Sequence, residues 1–180
     1  MCLHQDHGTK GWAASAADEE ADVRALKELG ADAVRTSHYP RSPRFYDLCD
    51  RYGVLVWTEV PLVDEVPGTN AVFEANALAM ADEMVSQHRN HPSIFAWGLF
   101  NEVYQRRKPD GSSEKVLRKV RDRIRALDPS RPTGGASCGK KVELNAVPDI
   151  LGVNLYPGWY GTSVDMMDTY IEDSCRLYSR

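Results

Sequence analysis

The sequence predicts an α/β protein of the (β/α)8 barrel type, of which these 180 residues supply about strands one to six. Three observations lead there. Strand-like apolar runs alternate with helix-length amphipathic segments along the whole chain, which requires parallel strands joined by crossovers. No glycine-rich phosphate turn follows the first strand, as a doubly wound nucleotide-binding sheet would show. At least four strands end in polar groups, the arrangement that a ring-shaped site at one end of a barrel needs. A full barrel of this type takes roughly 250 residues. The fold is therefore expected to be partial, with residues 1–180 forming one such domain.

Met1-Cys2-Leu3 reads as the tail of a first strand, running into the polar cluster His4-Gln5-Asp6-His7-Gly8, so sequence upstream is expected. A first helix is predicted from Ala16 to Leu29. Ser15 and Asp18 form its capping pattern, Val23, Leu26 and Leu29 its apolar face, and Gly30 its end. Ala33 to Ser37 is a second strand, followed by the loop His38-Tyr39-Pro40-Arg41. Ser42-Pro43 starts a second helix that Gly53 terminates. Val54 to Glu59 is a third strand ending in a carboxylate, and the proline-bearing stretch Val60 to Ala71 is a loop at the same end of the sheet. A third helix covers Phe73 to Arg89 with Leu78, Ala81, Val85 and His88 along one stripe.

The stretch from His91 to Glu102 follows, and it carries the sharpest signal in the chain. Ile94 to Phe100 is wholly apolar, and the strand then ends in Asn101 and Glu102. A carboxylate at the end of an apolar strand is costly unless it is paired or has chemistry to perform. Glu102 reads as a general acid/base, with Asn101 beside it to position a substrate; a strand-end salt bridge or helix cap is the plainer alternative. The loop Val103 to Gly111 leads to a fourth helix capped by Ser112 or Ser113 and stopped by Asp128-Pro129. The charges from Glu114 to Arg125 are most simply its solvated face. Thr133 to Ser137 is a weak fifth strand, Lys140 to Val147 an irregular stretch or single helical turn, Ile150 to Tyr156 a sixth strand, and Val164 to Tyr178 a last helix.

Other strand ends supply further candidates. Arg35, Ser37 and His38 end the second strand; an arginine there can hold a carboxylate ionised, or simply lie at the surface. His4, Asp6 and His7 offer metal-ligand chemistry, but without His-x-His spacing or a second ligand cluster they favour hydrogen bonding to a polar substrate. No metal or cofactor is expected. Asn154, Tyr156, Trp159 and Tyr160 end the sixth strand, where aromatic faces and polar edges suit sugar rings or else pack a corner.

Composition narrows the classes. A net charge of −4 with 27% charged residues argues against a nucleic-acid partner. The longest apolar run is too short to span a bilayer, so no membrane role is expected, and no signal-peptide pattern opens the chain. Cys2, Cys49, Cys138 and Cys175 are widely separated and read as thiols, which slightly favours a cytoplasmic setting.

Taken together, Arg35-Thr36-Ser37-His38-Tyr39-Pro40, Cys49-Asp50-Arg51-Tyr52-Gly53, Arg89-Asn90-His91-Pro92-Ser93-Ile94, Asn101-Glu102 and Asp128-Pro129-Ser130-Arg131-Pro132 resemble glycoside hydrolase family two. That is the family of β-galactosidases and β-glucuronidases. Asn154-Leu155-Tyr156-Pro157-Gly158-Trp159-Tyr160 is more similar to the β-glucuronidase branch, and Cys49 to Gly53 to the β-galactosidase branch. The resemblance implies retaining hydrolysis of terminal β-glycosides with Glu102 as acid/base. It implies that Asn101 bonds the sugar 2-hydroxyl, Asp6 other hydroxyls, that Arg35 and His38 line the subsite, Tyr156 bonds the nucleophile, and Asn154 and Tyr160 face substrate. The family's nucleophile is a second Glu on the seventh strand, beyond these residues; Glu172 falls in a predicted helix, and Glu59 has no such role in the family. The loop from Val60 to Glu65 departs from the family's magnesium pattern. The isolated chain is therefore expected to be inactive or nearly so. The alternative is a non-catalytic carbohydrate-binding or scaffold fragment whose open sheet edges pair with another chain; a homo-oligomer is compatible with either reading.

Overall fold

The structure is a computed structural model that describes residues 1–103, 112–138, 142–160 and 162–178. Most of the predicted loop after the fourth strand, and Lys140, lie outside the described residues. Six strands, β1 (Cys2–Leu3), β2 (Ala33–Thr36), β3 (Leu55–Glu59), β4 (Ile94–Asn101), β5 (Thr133–Ser137) and β6 (Ile150–Val153), form one sheet in sequence order. Every neighbouring pair is parallel. Helices α1 (Ala16–Glu28), α2 (Pro43–Tyr52), α3 (Ala71–His88) and α4 (Ser112–Leu127) join the strands up to β5. The single turn α5 (Val142–Asn145) precedes β6, and α6 (Met167–Tyr178) follows it. Strands that add in order and curl make a partial (β/α)8 barrel, with six of its eight strands.

Local chemistry explains the element ends. Ser15 and Asp18 satisfy each other's backbone N–H groups in a capping box at the start of α1. The Ser42 side chain accepts from Phe45 N ahead of Pro43, and Gly53 closes α2 at φ 68°. Helix α3 starts two residues earlier than predicted, at Ala71 rather than Phe73, because the Asn70 side chain accepts from Val72 N and Phe73 N. Strand β6 is shorter than predicted. Asn154 N still bonds Ser137 O at 2.8 Å, but the chain then turns, with Trp159 N on Tyr156 O at 3.1 Å. The last helix opens with a 3-10 turn, Val164–Met166, capped by Ser163.

The main core lies between sheet and helices. Val23, Phe45, Leu48, Val85, Leu99, Leu117 and Ile124 are among its fully buried members. The turn after α4 ties this layer to β4: Asp128 accepts from Trp97 Nε1 at 3.0 Å and from Arg131 at 2.6 Å, and Arg131 donates to Ile94 O at 2.6 Å. On the other face of the sheet Trp57 is the largest buried filler. It fits only because its neighbours are glycines: a Cβ on Gly98 would lie 2.5 Å from Trp57 Nε1, and one on Gly134 would lie 2.3 Å from Trp57 Cζ2. Glycines that look like weak strand formers in the sequence are thus the receptor for an indole. Among the described residues, no helix is long and apolar enough to cross a membrane.

Candidate active site

The C-terminal ends of β2, β3, β4 and β6 converge on one guanidinium. Arg35 Nε and Nη2 grip the Glu59 carboxylate, Nη2 lying 3.2 Å from Oε2. Nη2 also donates to Asn101 Oδ1 at 2.8 Å, and Nη1 to Asn154 Oδ1 at 3.3 Å. Glu59 is 0% exposed. A carboxylate so placed is tolerable only when paired and hydrogen-bonded, and here His38 Nδ1 lies 3.0 Å from its Oε2 as well. Burial works against the charge on Arg35, but the bond to Glu59 outweighs it and raises the Arg35 pKa.

Glu102 stands at the next position after β4, 9% exposed and with φ at 51°. A glutamate in the left-handed region stores strain, and such outliers cluster at functional sites. Its backbone is pinned by Glu102 N to Ala136 O at 2.8 Å. Its Oε1 accepts from Asn154 Nδ2 at 2.5 Å and from the Tyr156 hydroxyl at 2.9 Å. Asn154 Nδ2 also reaches Asn101 Oδ1 at 3.0 Å, so the two asparagines join the Arg35–Glu59 pair to Glu102. Burial first, and then the bond to Glu102, push the Tyr156 hydroxyl up to about 12, so near neutral pH it donates.

Six of the residues singled out from sequence therefore meet in one network: Arg35, His38, Asn101, Glu102, Asn154 and Tyr156. Tyr160 extends it outward, its ring edge-on to Tyr156 at 5.2 Å between centroids and 73% exposed. Asp6 is exposed on the loop after β1, and its charge acts on His4. Burial, followed by the charges of His38 and Arg35, lowers the His4 pKa, and its ring stands edge-on to His38 at 5.4 Å. His4, Asp6 and His7 do not gather as ligands. His7 Nε2 instead lies 3.6 Å from Asp18. Among the described residues the one group with metal-ligand spacing is Asp47, Asp50 and His91. It sits at the opposite end of the sheet, where Asp50 holds Ser93 N and His91 Nδ1. The residue that sequence reasoning passed over is Glu59. Its signal was present, a carboxylate ending an apolar strand as in Glu102, but nothing local reveals its partners.

The family model of the glycosyl hydrolases family 2 TIM barrel domain matches residues 1–178. The chain belongs to glycosyl hydrolase family 2. Within that family it is 33% identical over 180 residues to a β-glucuronidase of Bacteroides fragilis, an alignment covering 96% of this chain and 25% of that protein. It is 36% identical over 149 residues to the β-glucuronidase of Rattus norvegicus, covering 77% of this chain and 22% of that one. The crystal structure of a family 2 β-galacturonidase from Eisenbergiella tayi bound to galacturonate superposes with a TM-score of 0.84 at 34% identity, over 98% of this chain and 31% of that chain. A Bacteroides uniformis β-glucuronidase gives a TM-score of 0.86 at 30% identity, over 99% of this chain and 23% of that chain. The chain thus spans about a quarter of the length of such relatives.

Proposed function

We propose that this chain supplies the acid/base half of a retaining β-glycosidase site, acting on terminal β-glucuronides or β-galactosides. The observation that carries the reading is the setting of Glu102, a buried carboxyl at a barrel strand end with Oε1 held by two donors, Asn154 and Tyr156. An amide N–H cannot accept a hydrogen bond, so Oε1 stays an acceptor and the transferable proton belongs on Oε2. Glu102 would protonate the glycosidic oxygen, then, as carboxylate, activate the water that releases the sugar. Arg35 and Asn154 fix the Asn101 amide with Oδ1 inward, leaving its nitrogen to donate to a sugar hydroxyl. Tyr160 and the exposed Trp159, 77% accessible, offer aromatic faces beside it.

Retention needs a second carboxylate roughly 5–5.5 Å from the first. Glu59 is engaged by Arg35 and His38, and the family resemblance puts the nucleophile on a seventh strand, outside these residues. The β-glucuronidase names of the relatives favour a uronide as substrate. The test is hydrolysis of aryl β-glucuronides and β-galactosides by this chain fused to strands seven and eight of the Bacteroides fragilis relative. Turnover is expected from the fusion and not from the chain alone, and Glu102→Gln should lower it by about 10²–10⁴-fold. Full turnover by the Glu102→Gln fusion would overturn the assignment.

A second reading, a fragment that pairs with another chain, is favoured by the exposed apolar residues Val164, Met166, Tyr170 and Ile171 around α6. Light scattering on the chain alone tests it, because a monodisperse monomer excludes obligate pairing.

A further inference from the structure

We infer that Glu59 is a positioning residue that holds the proton of neutral His38 on Nδ1 and fixes the Arg35 guanidinium, whose donors in turn set the sense of the Asn101 and Asn154 amides. The argument is a count of hydrogens. A guanidinium has five N–H groups and no acceptor. In Arg35, Nε and one Nη2 hydrogen go to Glu59, the second Nη2 hydrogen goes to Asn101 Oδ1 at 2.8 Å, and Nη1 serves Asn154 Oδ1 at 3.3 Å and Cys2 Sγ at 4.0 Å. His38 Nδ1 lies 3.2 Å from Nη2, yet both hydrogens of that nitrogen are already engaged. Nδ1 therefore has no donor facing it. It also lies 3.0 Å from Glu59 Oε2, where two facing lone pairs would repel. The consistent assignment is Nδ1–H donating to Glu59, with Nε2 left as the nitrogen for other partners.

The same logic runs outward. Because Arg35 can only donate, Asn101 and Asn154 must both turn their oxygens to it. Asn154 then spends its two N–H groups on Asn101 Oδ1 and Glu102 Oε1. A carboxylate with no exposure of its own thus holds the guanidinium that decides which edge of each amide meets the substrate, without touching substrate itself. The catalytic consequence rests on the glycosidase reading; the hydrogen-bonding sense does not.

The experiment is nitrogen NMR of the His38 imidazole in the full 180-residue chain, with the signal assigned by its loss in His38→Gln and recorded where the ring is neutral. The expected result is protonated Nδ1 and bare Nε2. A bare Nδ1 in the wild-type chain overturns the inference whatever any variant does. Glu59→Leu removes both acceptor oxygens and frees a hydrogen of Arg35 Nη2, 3.2 Å from His38 Nδ1, to donate to that nitrogen. Once folding is verified by circular dichroism, the His38 proton should move to Nε2 in that variant. A folded Glu59→Leu chain that retains Nδ1–H also overturns it, and a variant that does not fold leaves the wild-type tautomer to decide. No substrate is involved, so failure of the glycosidase reading would leave this result standing, and the reverse.

Discussion

Asn154 Nδ2 meets Glu102 Oε1 at 2.5 Å, joining the exit of β6 to the exit of β4 across 52 positions of sequence. The same amide nitrogen also bonds Asn101 Oδ1 at 3.0 Å, so one side chain orients both members of the Asn101-Glu102 pair. In the fused barrel, Asn154→Ala should lower kcat more than it raises KM, by about 10–100-fold, since a bond to a charged group contributes about 1.5–3 kcal/mol. Tyr156→Phe removes a single donor and should cost less. Steady-state kinetics of the two variants check the order, and an unchanged kcat in Asn154→Ala would remove Asn154 from the site.

The Asp128 carboxyl makes stability depend on acid. Burial pushes its pKa up, but bonds from Ser130, Arg131 and Trp97 outweigh burial and bring it down from 3.8 to about 2. A lowered folded-state value means the stabilisation is present above pH 3.8 and lost as pH falls through about 2. A shift of that size corresponds to about 2 kcal/mol. Asp128→Asn should therefore reduce stability in urea at neutral pH by about that amount and flatten the loss between pH 4 and pH 2.

Gly134→Ala should destabilise the fold by about 1–3 kcal/mol, the usual cost of overpacking. The added methyl would stand 2.3 Å from the Trp57 indole, which lies over Gly134 and its paired neighbour Gly98. Gly8→Ala is the control, because nothing lies within 4 Å of a Cβ there. Urea midpoints of the two variants should separate clearly; equal midpoints would show that Trp57 can move aside.

Thiol chemistry should divide the cysteines. Burial first, and then the charge of Asp50, push the Cys49 thiol up to about 12, while Cys2, Cys138 and Cys175 are exposed. A thiolate-specific reagent at mildly alkaline pH is expected to modify those three in the native chain and to reach Cys49 only in denaturant. Rapid native labelling of Cys49 would mean that α2 opens locally.

Much of the fold was legible because its signals are local. Ser15 with Asp18, Ser42 with Pro43, and Gly53 mark helix ends through bonds spanning a few residues, and apolar periodicity marks the strands between them. Asn101 and Glu102 stood out for the same reason, polar groups at the end of an apolar run. Where a competing local bond was missed, as with the Asn70 cap on α3, the boundary moved by two residues. Where tertiary pairing ran out, at Val153, the sixth strand ended sooner than its apolar pattern suggested.

The sequence by itself determined the parallel α/β order, the family and the strand-end carboxyl Glu102. Only the tertiary structure decided that Glu59 pairs with Arg35 at the hub, that Asn154 orients Glu102, and that Gly98 and Gly134 make room for an indole. The physical reason is that propensity and capping act over a few residues along the chain. Partnership across the site is set by strand register and sheet curvature, which bring Arg35 from β2, Glu59 from β3, Asn101 from β4 and Asn154 from beyond β6 within hydrogen-bond reach.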